Sequence, residues 1–152
     1  MRRAAVRQTC FDTWPFATDV VEGLEALPKR EVQDRIEFRQ KTGTGEIHSV
    51  DIDGAMRADY PTSERWDYGI CYGRTVKKVV FIELHKAESG EVRKLINKQR
   101  WLKGLLTGYP LPEHRWYWLP TGKISILPNS TYARQLTAAR ILLVRKDPLL
   151  LD

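Results

Sequence analysis

No apolar run in this 152-residue chain approaches the roughly 20 residues that a membrane-spanning helix needs. The basic start, Met1 to Arg7, has no apolar stretch after it, so a secretory signal is not expected. Cysteine is scarce. Cys10 and Cys71 are too few for a disulfide framework, and Cys71, inside a strand-like run, reads as a buried free thiol in a reducing cytoplasm. The three histidines, His48, His85 and His114, show no zinc spacing, and the two cysteines are far apart. No serine or cysteine stands in a recognisable nucleophile elbow. Lys41 to Glu46 holds Gly43 and Gly45 but lacks the spacing and the lysine–hydroxyl pair of a phosphate loop. Asp51-x-Asp53-Gly54 lacks the later ligands of a calcium loop. There is no internal repeat and no low-complexity segment.

What is present is the composition of a globular protein, with 42% hydrophobic and 29% charged residues. The length suits one domain, residues 1–152, with a core over about 18–146 and terminal extensions at 1–17 and 147–152. The net charge is +6, and it is unevenly spread. Residues 74–103 carry 9 Lys/Arg against 3 Asp/Glu, whereas residues 1–73 carry 10 against 13. A basic concentration of this kind fits a nucleic-acid partner, DNA or RNA; a solvated helix face or a protein-partner surface is the plainer alternative.

The periodicities give an element order. Thr18 or Asp19 caps a helix through Leu27, and a second helix runs from Arg30 to Gln40. Ile47 to Met56 alternates like an edge strand. Trp66 to Tyr72 and Val76 to His85 are strands joined by a turn at Gly73 to Thr75. A helix from Ser89 to Leu106 follows, with Val92, Leu95, Ile96, Leu102 and Leu106 as its apolar stripe. Arg115 to Leu119 is an aromatic strand with Trp116 and Trp118 on one face, where core packing is expected ahead of base stacking. A helix capped at Asn129 or Ser130 and a buried strand at Arg140 to Arg145 complete the chain. The fold class is α/β, a mixed sheet with helices on both faces.

Chemistry concentrates in the two central strands. Asp67 and Glu83 are carboxylates inside otherwise apolar runs. Alternation puts Glu83 and His85 on the face of Phe81, and hairpin pairing brings Asp67 toward them. Two carboxylates and a nitrogen make a cradle for a hard cation, Mg²⁺ or Mn²⁺, which can activate water and stabilise a phosphoryl transition state. On the following helix Arg93, Lys94 and Lys98 fall off the apolar stripe and are expected to face solvent as a nucleic-acid contact.

A strand bearing Asp67, a turn, an apolar strand ending in Glu83-Leu84-His85-Lys86 and then an amphipathic helix resembles the core of PD-(D/E)XK nucleases. The likeness covers about 40 residues, with Trp66 where the family has proline and His85 where it has lysine. It implies a restriction-endonuclease-like αβββαβ core, here with an extra C-terminal helix and strand. It implies Asp67 and Glu83 as metal ligands, and the nucleophilic water near His85 or Lys86. Glu37, on the second expected helix, reads as a surface residue, although a first-helix glutamate sometimes joins the metal site in that family. The activity implied is metal-dependent hydrolysis of DNA or RNA. The alternative is a catalytically degenerate fold that binds nucleic acid or a protein.

Overall fold

The structure, a computed structural model, describes residues 9–40 and 46–152. Residues 41–45 of the glycine-bearing loop expected at Lys41 to Glu46 lie outside the described residues, as do residues 1–8, which include the basic start Met1 to Arg7. The chain is mixed α/β. In order it forms β1 (Val21–Glu22), β2 (Ile36–Phe38), β3 (Ile47–Asp51), α1 (Ile52–Met56), β4 (Tyr68–Tyr72), β5 (Lys78–Lys86), α2 (Val92–Leu105), β6 (His114–Thr121), α3 (Thr131–Ala138), β7 (Ile141–Leu143) and β8 (Leu149–Leu151). Six strands make the main sheet in the order β1-β3-β4-β5-β6-β7, and β2 pairs with β8 in a separate two-stranded sheet.

β5 is central because of its composition. Val79-Val80-Phe81-Ile82 is apolar on both faces, so only an interior strand can bury it. The β4–β5 pair is antiparallel. Its turn needs Gly73, which has φ +118°, and a Cβ there would stand 2.1 Å from the Val76 carbonyl oxygen. β5 to β6 and β6 to β7 are parallel pairs, so each needs a crossover, which α2 and α3 supply. Two crossovers of one hand that step the same way across a sheet leave both helices on one face. Leu95 and Leu102 of α2 and Leu136 of α3 accordingly pack in one cluster with Phe81, Trp116 and Trp118. α3 starts where the sequence predicts, with the Ser130 hydroxyl accepting from the Ala133 N–H at 3.1 Å.

The opposite face differs from expectation. Among the described residues no α-helix covers it. Ile70, Val80, Ile82, Tyr117 and Leu119 are instead sealed by Leu27, Val32, Leu149 and Leu151. The two helices expected within residues 18–40 are short 3-10 turns at Ala17–Asp19 and Gln33–Arg35 followed by β1 and β2. The first stretch is interrupted by Gly23 and Pro28, and each stretch offers a β-branched residue, Val21 or Ile36, to a partner strand. Among the described residues no α-helix precedes β3, so the leading helix of an αβββαβ order is not seen there; the core formed is β3-β4-β5-α2-β6, with α1 inserted between β3 and β4. Glu37 is exposed on β2, opposite Leu150.

Three further expectations change. β3 is interior rather than edge, between β1 and β4. β7 is an edge strand with Leu142 exposed, where a buried strand is expected from its apolar letters. The cysteines form a disulfide, Cys10–Cys71, which ties the N-terminal segment to β4 and removes the free-thiol basis for a reducing compartment. That segment brings Phe11, Trp14 and Phe16 into the core, all nearly inaccessible to solvent. Among the described residues no helix is long and apolar enough to cross a membrane.

Candidate active site

The site lies where the β4–β5 ladder ends. The last paired residues are Tyr68 and Ile82, so the next step sets Asp67 beside Glu83. There the two carboxylates replace the ladder. The Asp67 N–H donates to Glu83 Oε1 at 3.0 Å, and the Leu84 N–H donates to Asp67 Oδ2 at 2.9 Å. The Asp67 carbonyl accepts from the Ile52 and Asp53 N–H groups at 2.8 and 3.3 Å, which fixes it against the first turn of α1. Alternation holds as the sequence indicates: Asp67 and Glu83 share the helix-bearing face with Phe81.

Glu83 is completely buried, under α2. From that helix Lys98 reaches down and forms an ion pair with Glu83 Oε2; only 14% of the lysine side chain is exposed. Lys98 was expected to face solvent, but it stands between Leu95 and Leu102 at positions i+3 and i−4, which lie on the buried side. That spacing was the signal available for it. The second member of the buried side that the sequence hides is Gln99, which donates to the Ala139 carbonyl at 2.8 Å.

Burial pushes the Glu83 carboxyl up to about 8, with the Asp67 charge adding to the rise and Lys98 opposing it. Burial likewise raises Asp67, against the pull of Lys98 and the Leu84 N–H. For Lys98 burial works toward deprotonation, but the Glu83 charge and hydrogen bond outweigh it and the ammonium is held above its usual range. The three shifts agree in one respect: the trio retains a proton that the separated groups would release. Asp53 borders the trio. Burial raises it, yet bonds from Arg57 at 2.7 Å and Arg65 at 2.9 Å win and keep it below the ordinary range. Its proximity was not legible in the Asp51-x-Asp53-Gly54 pattern, whose Asp51 instead caps α1 by accepting from the Gly54 N–H at 2.9 Å.

His85 and Lys86 are placed differently. His85 Nε2 is 2.9 Å from Glu91 Oε2, and the His85 carbonyl accepts from Trp118 Nε1 at 3.0 Å. Lys86 is half-exposed, 3.4 Å from Glu88 and 3.7 Å from Glu91. They form a rim cluster at the entry to α2, one step outside the buried trio. Arg93 and Lys94 are exposed on α2 as expected.

Among the described residues no group of three or more His, Cys, Asp or Glu side chains is arranged to hold a metal ion. Asp67 and Glu83 are nevertheless the right class of donor for a hard cation that uses one or two carboxylates and completes its shell with water. Three of their four oxygens already accept bonds from Leu84, Asp67 and Lys98, so a cation at Glu83 has to share it with the ammonium. No family model, no curated protein and no solved structure matches this chain.

Proposed function

We propose that this chain is a metal-dependent nuclease-like domain that hydrolyses phosphodiester bonds in DNA or RNA. The observation that carries the reading is Lys98. The Glu83-x-His85 sequence lacks the lysine of the resembled motif, and α2 returns an ammonium to the same carboxylate from another element. A chain order of β3-β4-β5-α2-β6 with Asp67 just before β4 and Glu83 near the end of β5 supports the same reading. So does the concentration of shifted titratable groups at one spot, a feature of catalytic sites more than of structural ones.

In this reading Asp67 and Glu83 would hold Mg²⁺ or Mn²⁺, and such an ion would supply a water of lowered pKa and charge for the phosphate oxygens. The Lys98 ammonium offers donors toward a non-bridging oxygen of the scissile phosphate. Glu83, whose two oxygens already accept from the Asp67 N–H and from Lys98, would ligate a cation only as the carboxylate, the form that its raised pKa of about 8 disfavours at neutral pH. In the same reading His85 and Lys86, on the rim beside Glu91 and Glu88, would meet the substrate ahead of the buried trio, and Arg93 and Lys94 would meet its backbone. Water adds to phosphorus and gives up a proton to solvent, the bond to one sugar oxygen breaks, and that oxygen leaves with a proton from solvent.

A specific observation favours a second reading, a binding module without hydrolysis: the hydrogen bonds inside the trio already use most of the carboxylate oxygens. The two are separated by incubating duplex DNA, single-stranded DNA and RNA with the protein and Mg²⁺ or Mn²⁺. Cleavage that Asp67→Asn and Glu83→Gln abolish supports the first. Binding without cleavage of any of them supports the second.

A further inference from the structure

On the flank of α2 away from β4, two surface depressions of about 560 and 430 Å³ adjoin through Ala138 and Ala139 at the end of α3. Arg93 and Arg100 line the first, Lys103 and Arg140 the second, and neither lining contains an Asp or Glu. All four cations are exposed, and among the described residues none forms an ion pair. Arg115 also borders the second depression, but it is engaged with Tyr117.

At 100° per residue Arg93 and Arg100 lie within about 20° of one another around α2, and about 140–160° from Lys98. The groove is thus separated from the Asp67–Glu83–Lys98 trio by the body of the helix. Arg93 to Lys103 spans about 15 Å of helix axis at 1.5 Å per residue, which corresponds to about four nucleotide steps of a duplex strand. Where the two depressions meet the lining is the small side chains of Ala138 and Ala139, so a backbone can approach closely there. Lys103 stands over the Trp116 ring, 5.8 Å from its centroid, which holds that ammonium at the groove wall. Trp116 itself is buried, so no aromatic face is open for base stacking. Arg140 adds a second observation. It has φ +58° just after the α3 C-cap, a position that ordinarily goes to glycine, and there an arginine is strained.

We infer that this groove is a sequence-independent anchor for the phosphodiester backbone of a nucleic acid, separate from the trio and held by Arg93, Arg100, Lys103 and Arg140. A line of cations without acidic neighbours fits a regularly repeating anion, and guanidinium forks suit phosphate oxygens. The inference deepens the nucleic-acid reading above, but its test does not depend on hydrolysis.

Binding is measured by fluorescence anisotropy in EDTA, where metal-dependent cleavage has no part, over a series of salt concentrations. The probes are a labelled duplex of about 20 base pairs and its single strand; four phosphate contacts predict a slope of log affinity against log salt of about −3 to −4 on the duplex. Arg100→Ala with Arg140→Ala lowers that magnitude by about two on duplex, and by about 1.4 on the single strand, for every sequence alike. Charge reversal at Arg100 alone (R100E) lowers affinity further, with the melting temperature unchanged as the check on folding. Polyglutamate of equal charge competes poorly. The inference is overturned if the folded double variant keeps the wild-type slope, if neither probe binds at low salt, or if polyglutamate displaces the probe as well as unlabelled DNA does. Loss of cleavage with the slopes intact overturns only the hydrolytic reading.

Discussion

Replacing Lys98 with Met keeps the aliphatic stem packed between Leu95 and Leu102 and removes only the ammonium. The consequence depends on pH. Glu83 is raised in the folded protein to about 8 from 4.5. The folded state therefore binds that proton more tightly than the unfolded chain, and the wild type loses stability as pH rises from 4.5 to about 8 and then levels off. At about 1.4 kcal/mol per pH unit the loss over that window is at most about 5 kcal/mol from this group. Lys98 limits it, because its charge pulls the carboxyl back down. Without the ammonium the Glu83 pKa climbs further, and the fall in stability continues above pH 8 by about 1.4 kcal/mol per unit. Below about pH 6 Glu83 is neutral in both proteins, and the variant lacks one hydrogen bond, worth about 1 kcal/mol. Urea denaturation at about pH 5.5, 7, 8.5 and 9.5 reads this out as two curves offset by about 1 kcal/mol at low pH that diverge further above 8. A difference that stays constant across the range refutes the coupling of Lys98 to Glu83.

Other parts of the fold make further predictions. Reduction of Cys10–Cys71, which are 61 residues apart, lowers stability by about 2–4 kcal/mol in urea denaturation with and without dithiothreitol; an unchanged midpoint contradicts it. Gly73→Ala forces a Cβ to 2.1 Å from the Val76 oxygen at a left-handed φ, and costs about 1–3 kcal/mol by the same assay, whereas Gly90→Ala, with open space around it, does not. Ser130→Ala removes the α3 cap and about 1 kcal/mol, read as a small fall in melting temperature.

The central unit was legible in the sequence because its pattern is two-sided and local. Val79 to Ile82 can only be an interior strand, Trp116 and Trp118 alternate with Tyr117 and Leu119 into opposite clusters, and the α2 stripe is periodic. Asp67 and Glu83 came together because a hairpin register follows from its turn. The N-terminal region was not legible. Val21 and Ile36 to Phe38 carry helix-like spacing, but their partners are β3 and the distant β8, and pairing across such separations leaves no local mark. Leu149 and Leu151 looked like a tail for the same reason. Lys98 was misread through residue type: lysine suggests solvent, and only an ion pair with a buried carboxylate overrides that preference. The disulfide joins residues whose approach depends on how the N-terminal segment folds back over β4, which spacing alone does not give.

The most direct test of the account is the rate of phosphodiester cleavage, measured on duplex DNA, single-stranded DNA and RNA with Mg²⁺ or Mn²⁺, for wild type and for Asp67→Asn, Glu83→Gln and Lys98→Met side by side. The account predicts cleavage of at least one substrate by wild type, its loss on chelation, and a fall of about two orders of magnitude or more in each variant that still melts cooperatively. Cleavage that persists in all three variants, or no cleavage of any substrate by the folded wild type, contradicts it.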